Sequence, residues 1–280
     1  MSRKSELKFD KIGYWSEIKL DIIKDYASAY SKILAAQENP KFYHIYIDAF
    51  AGPGVHIKRS TGEFIKGSPV NAILVKPPFC EYHLIDLDQK KIALLKEIVE
   101  GRADVHVHEG DGNDILLKNV FTRVLFKDYR RGLCLLDPYG LDLKWEVIQT
   151  AGQMGSIDMF LNFPVADINR NVLWRNPEGV DSADIDRMTA FWGDTSWREI
   201  AYTTELSLFR FKEKVDNETV AEGFRKRLLK VAGFKHVPKP MPMRNSRGVI
   251  VYYLFFASQK PVAMNIVEAI FNKYRQREVR

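Results

Sequence analysis

Cysteine is nearly absent: Cys80 and Cys134 are the only two in 280 residues. They form no metal-ligand spacing and no disulfide framework, so a reducing interior, the cytoplasm by default, is the expected setting. Long apolar runs are lacking as well. The longest, Val249–Ala257, falls well short of the roughly 20 residues a membrane helix needs, so no membrane partner is expected. The opening stretch MSRKSELKFDKIGYW has no apolar core of a secretory signal. Low-complexity tracts and internal repeats are missing, and 46% hydrophobic content excludes a disordered chain.

What is present begins with an uneven charge. The net value is +6. Residues 223–280 hold thirteen lysines and arginines against two acids, Glu268 and Glu278, so the first 222 residues are net acidic. A basic final fifth on an acidic body fits a polyanionic partner, nucleic acid above all, and fits equally a solvated basic helix.

Hydrophobic patterning supplies the architecture. Apolar residues at helical spacing predict a helix over 16–36, ended by Asn39-Pro40. Four buried-type strands follow, over 43–49, 81–85, 105–108 and 132–136, then a fifth over 157–163. Helices are expected over 89–100, 114–126 and 145–151, with a small hairpin at 55–67 and a helix from Ser68 as N-cap and Pro69 to about Val75. Strand–helix alternation of this kind predicts an α/β fold with a mostly parallel sheet and helices on both faces. Residues 165–210, polar and rich in tryptophan, break the rhythm and are expected to be a helical insertion. A helix over 215–232, strands at 234–237 and 248–257 around the loop PKPMPMRNSRG, and a helix over 263–275 complete the chain, the last hairpin adding an antiparallel strand. One domain over 1–280, with a helical extension at 1–40, is the expected organisation.

The punctuation at the strand ends carries the chemistry, because open α/β sheets bind ligands along their carboxyl-terminal edge. Phe50-Ala51-Gly52-Pro53-Gly54 follows the first strand, and glycines there allow a tight turn and close ligand approach. Asp48 ends that strand. Asp86 ends the second, where a carboxylate can accept ribose hydroxyls. Ile57 stands where a third glycine of G-x-G-x-x-G belongs, which disfavours a dehydrogenase, and no G-x-x-x-x-G-K-[ST] loop supports a nucleotide hydrolase. Asp88 reads as a helix cap, and so do Asn113 or Asp114; Asp111 is left at the third tip as a candidate base contact. The fourth tip, Asp137-Pro138-Tyr139-Gly140, combines a proton-accepting carboxylate, a fixed turn and a ring that can stack; it reads equally as a proline turn. Asn162-Phe163-Pro164 offers an amide at the fifth. His106 and His108 alternate on a strand without further metal ligands. Lys239, Arg244 and Arg247 are candidate phosphate contacts, and Trp174, Trp192 and Trp197 either stack on an unpaired base or pack the insertion.

In this order DAFAGPG, LIDLD, GDGN and LLDPYG resemble the class I S-adenosylmethionine-dependent methyltransferases. IDAFAGPG, Gly67-Ser68-Pro69, DPYG, LNFP and YYLFFAS are similar to the three-Cys-motif partner family, over most of residues 43–257. The resemblance implies a Rossmann-like sheet with an antiparallel last strand. It implies S-adenosyl-L-methionine as cofactor, with Asp48, Phe50, Gly52 and Gly54 at its methionine part, Asp86 at the ribose and Asp111 at the adenine. Asp137, Pro138 and Tyr139 take the place of the catalytic D-P-P-Y of amino-methyltransferases, with one proline fewer and the ring one position early. No Pro-Cys nucleophile is present, so a cytosine-C5 mechanism is not expected. Methyl transfer to a nucleic-acid base, with Asn162, Lys239, Arg244 and Arg247 binding the substrate, is the expected activity. The alternative is a non-catalytic module partnering a radical-SAM-like three-Cys-motif protein.

Overall fold

Short runs rich in β-branched and aromatic residues are covered on both faces and so form buried strands rather than amphipathic ones. Tyr43–Asp48, for example, is buried at every position but the first. The computed structural model of the chain describes residues 10–203 and 213–276. In chain order the strands are β1 (Lys11–Ile12), β2 (Tyr43–Asp48), β3 (Val55–Lys58), β4 (Phe64–Lys66), β5 (Glu81–Asp86), β6 (Val105–Glu109), β7 (Arg130–Leu136), β8 (Ile157–Phe163), β9 (Tyr202–Thr203), β10 (Glu213–Lys214), β11 (Met241–Arg244) and β12 (Ile250–Ala257). The α-helices are α1 (Tyr14–Ala35), α2 (Ser68–Ile73), α3 (Gln89–Ile98), α4 (Gly112–Ile115), α5 (Trp145–Met154), α6 (Val165–Asn171), α7 (Ser182–Trp192), α8 (Trp197–Ala201), α9 (Asn217–Lys230) and α10 (Pro261–Arg275).

Seven strands make one sheet in the order β6-β5-β2-β7-β8-β12-β11. All neighbours from β6 to β8 run parallel, whereas β12 is antiparallel to both β8 and β11. This is a Rossmann-like α/β sheet with the strand order of the class I methyltransferase fold. The order reverses between β2 and β7, which opens a crevice at their carboxyl ends. Residues alternate between the two cores: Ile45, Ile47, Cys134 and Leu136 face one, and Tyr46, Leu133, Leu135 and Phe160 the other. Tyr26 of α1 fills the second core, its ring 4.7 Å from that of Phe256 and 5.3 Å from that of Phe160. Burying such a ring is worth roughly 1.5–3 kcal/mol.

Three local expectations are corrected. The helix expected over 114–126 is broken: α4 passes into a π-type turn over Leu116–Val120 and a 3-10 turn over Phe121–Arg123, which bring Phe121 and Val124 into the core. The strand expected at 234–237 is a single bridge, His236 to Ser258. Pro238 and Pro240 lack an N–H for the ladder, and pairing resumes at β11, where Met241 and Met243 alternate into the core. Pro242 is tolerated because β11 is an edge strand. Finally, α2 is capped by Gly67, with Ser68 inside the first turn. Residues 1–9 of the expected extension and 204–210 of the expected insertion lie outside the described residues, as do Arg277 and Arg280. No helix among the described residues is long and apolar enough to cross a membrane.

Candidate functional site

The glycine turn after β2 is pinned by its neighbours. Gly52 (φ +64°) donates its N–H to Asp86 Oδ2 at 2.8 Å, and Asp88 N–H donates to Asp86 Oδ1 at 2.9 Å. Gly54 (φ +79°) sits in the left-handed region and is crowded, since a Cβ would meet Leu95 Cδ2 at 3.0 Å. The Asp86 carboxylate therefore ties the turn to the tip of β5. Asp88 caps α3, accepting from Lys90 N–H at 2.8 Å, as expected of it. Asp111 is the cap of α4, in place of the expected Asn113 or Asp114: its Oδ1 accepts from Asn113 N–H at 2.7 Å. Asn113 instead bridges the loop beyond β7, donating to Asp142 O and accepting from Lys144 N–H.

A cavity of about 370 Å³ opens at this edge, between the glycine turn and the tips of β7 and β8. Phe50 and Gly52 line one side, and Asp137, Pro138, Tyr139 and Asn162 another. Tyr139 is well exposed and accepts a 2.7 Å hydrogen bond from Lys91 Nζ, beside Asp10. Asp137 is held by Lys19 of α1, and its Oδ1 accepts from Asn162 Nδ2 at 2.8 Å. Burial opposes the Lys19 charge, but the attraction of Asp137 outweighs it and holds the ammonium above its ordinary pKa. Tyr252 lies against it, its ring centroid 5.2 Å from Lys19 Nζ.

Asp48 lies deeper, fully buried. Burial pushes its pKa up to about 7, against the opposing influence of the nearby Ser68 hydroxyl and Phe50 backbone. Its Oδ1 has no partner and its Oδ2 accepts from Tyr46 Oη at 3.3 Å. Four buried polar atoms around this crevice make no hydrogen bond: Asp48 Oδ1, Asn162 Oδ1, His56 Nδ1 and Asp167 Oδ2. His56 of β3 lines the cavity, and burial lowers its pKa, leaving a neutral imidazole among Asp10, Lys19, Asp137 and Lys91. Burial likewise pushes the Cys134 thiol far up, so it is no nucleophile.

Lys19, His56 and Tyr252 escaped the sequence reading. One signal was available: Trp15, Lys19, Ile22, Tyr26 and Tyr30 share one stripe of α1, and a lysine in an apolar stripe needs a buried partner. The amino-terminal arm brings Lys19 to the cavity by pairing β1 in parallel with β3 of the small hairpin.

Other candidates lie elsewhere. Lys239 and Arg244 line a separate cleft between α9, β11 and α10. Lys239 pairs with Glu218 at 2.6 Å, and Arg244 donates to Gly248 O at 2.8 Å. Arg247 sits on the exposed turn between β11 and β12. Much of the basic excess is spent on acids: Arg225 on Glu222, Arg227 on Asp194, Lys273 on Asp25. Trp192 and Trp197 are buried and donate to Ser196 Oγ and Thr189 Oγ1, so they pack rather than stack on a base. Trp174 is 41% exposed. His106 and His108 stack on His83 beside Glu81, at the opposite edge of the sheet.

No family model matches the chain, and no curated protein matches it. Among solved structures it is similar to protein LPL1258 of Legionella pneumophila, at 13% identity over 89% of each chain and a TM-score of 0.45. It is similar to a putative S-adenosylmethionine-dependent methyltransferase of Listeria monocytogenes, at 13% identity over 84% of this chain and 98% of that one, with a TM-score of 0.41. It is similar also to Aeropyrum pernix fibrillarin with natively bound S-adenosyl-L-methionine, at 10% identity over 91% and 84% of the two chains, with a TM-score of 0.40. These likenesses concern the course of the chain and assign no residue.

Proposed function

We propose that the protein is an S-adenosylmethionine-dependent methyltransferase whose acceptor is a nucleic-acid base. One observation carries the reading: the glycine turn and the Asp137–Asn162 pair line a single cavity at the point where the strand order reverses. The residues fit the cofactor. Gly52 leaves the turn bare on the cavity side while Gly54 packs it against α2 and α3, Asp86 is held at the tip of the adjacent strand for the ribose, and Asp111 stands at the next tip for the adenine. The orphaned Asp48 Oδ1 at the foot of the turn suits the ammonium of the methionine part.

Bound there, S-adenosylmethionine supplies a methyl group already activated by its sulfonium. What remains for the chain is positioning. Asp137 and Asn162 hold the acceptor side, Phe50 and Tyr252 give it apolar walls, and Pro138 fixes the turn. The neutral His56 imidazole offers a proton acceptor within the same cavity. A base reaches so confined a site only when unpaired or flipped. Lys239, Arg244 and Arg247 are the proposed phosphate contacts outside it.

The test is a screen with methyl-labelled S-adenosylmethionine against single-stranded and duplex DNA and RNA, for wild type and Asp137→Ala. Transfer to one class, lost in the variant, supports the reading; full transfer by the variant contradicts it. A second reading, a methyltransferase-like module that binds a three-Cys-motif protein without turnover, is favoured by the Lys19 contact that already occupies Asp137. Cofactor binding without transfer to any acceptor, together with capture of that protein, would select it.

A further inference from the structure

In the D-P-P-Y arrangement the carboxylate takes the amino group of the acceptor. Here both Asp137 oxygens are engaged, Oδ2 by the Lys19 ammonium and Oδ1 by Asn162 Nδ2 at 2.8 Å. The neighbouring amide is in the opposite condition. Asn162 is 9% exposed, lines the cavity, and its Oδ1 is buried with no partner. Its orientation follows from chemistry. A carboxylate paired with an ammonium is acceptor only, so the amide must turn its NH₂ to Asp137 and its oxygen the other way. An amide oxygen buried without a partner is destabilising, and a ligand donor relieves it.

We propose that Asn162 Oδ1 is the atom that recognises the acceptor, taking one N–H of an exocyclic amino group, and that Lys19 and Asp137 are positioning residues that fix the amide. The inference rests on the methyltransferase reading and narrows it to amino-bearing bases, adenine or cytosine. Asp137 then matters through Asn162 rather than by touching the substrate.

The test uses the full chain, ¹⁵N-labelled and loaded with S-adenosylhomocysteine, titrated by NMR with adenosine and cytidine. Their N6,N6-dimethyl and N4,N4-dimethyl derivatives, which keep every hydroxyl and lose only the amino N–H, are the controls. At least one amino nucleoside is expected to bind about 10-fold or more tightly than its dimethyl derivative and to move the Asn162 side-chain amide signals. Asn162→Leu should abolish the preference. Asp137→Asn, which lets the Asn162 amide turn over, should reduce it while the backbone spectrum stays folded. Equal binding of amino and dimethyl nucleosides would overturn the proposal, as would a preference that survives in Asn162→Leu. So would the absence of saturable binding by either amino nucleoside up to about 20 mM, a limit near −2 kcal/mol. A preference undiminished in Asp137→Asn would remove the positioning role. Failure of S-adenosylhomocysteine itself to bind would instead sink the methyltransferase reading, so the two failures are told apart.

Discussion

The two edges of the central sheet bury charge in opposite ways. At the amino-terminal edge Glu81, 3% exposed, lies 2.9 Å from both His83 Nε2 and Arg123 Nη2, with His106 and Arg130 at 3.4 and 3.5 Å. Burial works against that carboxylate, yet the surrounding cations hold its pKa below the usual range. Neither edge satisfies every buried atom, since Glu81 Oε1 and His83 Nε2 also make no hydrogen bond, but at the carboxyl-terminal edge three residues with an unsatisfied atom, His56, Asn162 and Asp167, line a cavity. At the amino-terminal edge opposite charges lie beside one another and need only the fold, whereas unsatisfied atoms around a cavity leave room for a ligand. Buried polar groups therefore mark function here by the cavity beside them rather than by being buried.

Removing one member of a buried pair should have the largest effect. Lys19→Met leaves Asp137 unpaired in a site where both side chains are mostly covered, and should cost about 3 kcal/mol in urea unfolding. Lys19→Met with Asp137→Asn should recover much of that loss. A single variant as stable as wild type would mean the carboxyl edge is as self-sufficient as the amino edge.

The two edges should also respond to pH with opposite sign. Asp48 has a folded pKa raised to about 7 from an ordinary 3.8, so the stability it contributes is present at low pH and lost as pH rises toward 7. Asp48→Asn removes that slope and should gain about 3 kcal/mol on wild type between pH 5 and 8. His83 has a folded pKa lowered by burial to about 4 from 6.5. Its contribution is present above 6.5 and lost as pH falls toward 4, so His83→Gln should flatten the acid limb by a lesser amount. Thermal unfolding across pH 4–8 checks both. Slopes of the same sign in the two variants would erase the contrast.

The smallest effect is expected on the basic flank. Reversing Lys239, Arg244 and Arg247 to glutamate should weaken binding of a single-stranded oligonucleotide by on the order of 10-fold at about 0.1 M salt, with cofactor binding unchanged. Lys239 is already spent on Glu218, which keeps the expected change modest. A simultaneous loss of cofactor binding would show that this flank and the cavity are one site.

The sheet was legible because its strands are short apolar runs ended by Gly, Asp, Asn or Pro. Ile157–Phe163 and Tyr43–Asp48 lie where patterning places them. The glycine turn and the acidic strand tips were legible for the same reason. Lys19 was not, because its partner is 118 residues away and a lysine on a helix usually reads as solvated. Nor was β11, since three prolines at alternate positions hide the Met241–Met243 alternation. The orphaned atoms Asn162 Oδ1 and His56 Nδ1 depend on which way a side chain turns, and no residue pattern encodes that.

The central claim is that the glycine turn held by Asp86 is a cofactor site. Isothermal calorimetry with S-adenosylmethionine on wild type and Asp86→Ala tests it most directly. Saturable binding in the micromolar range, weakened about 100-fold or more in the variant, a loss near 3 kcal/mol, is the predicted result. No binding by wild type, or equal binding by the two proteins, would contradict it.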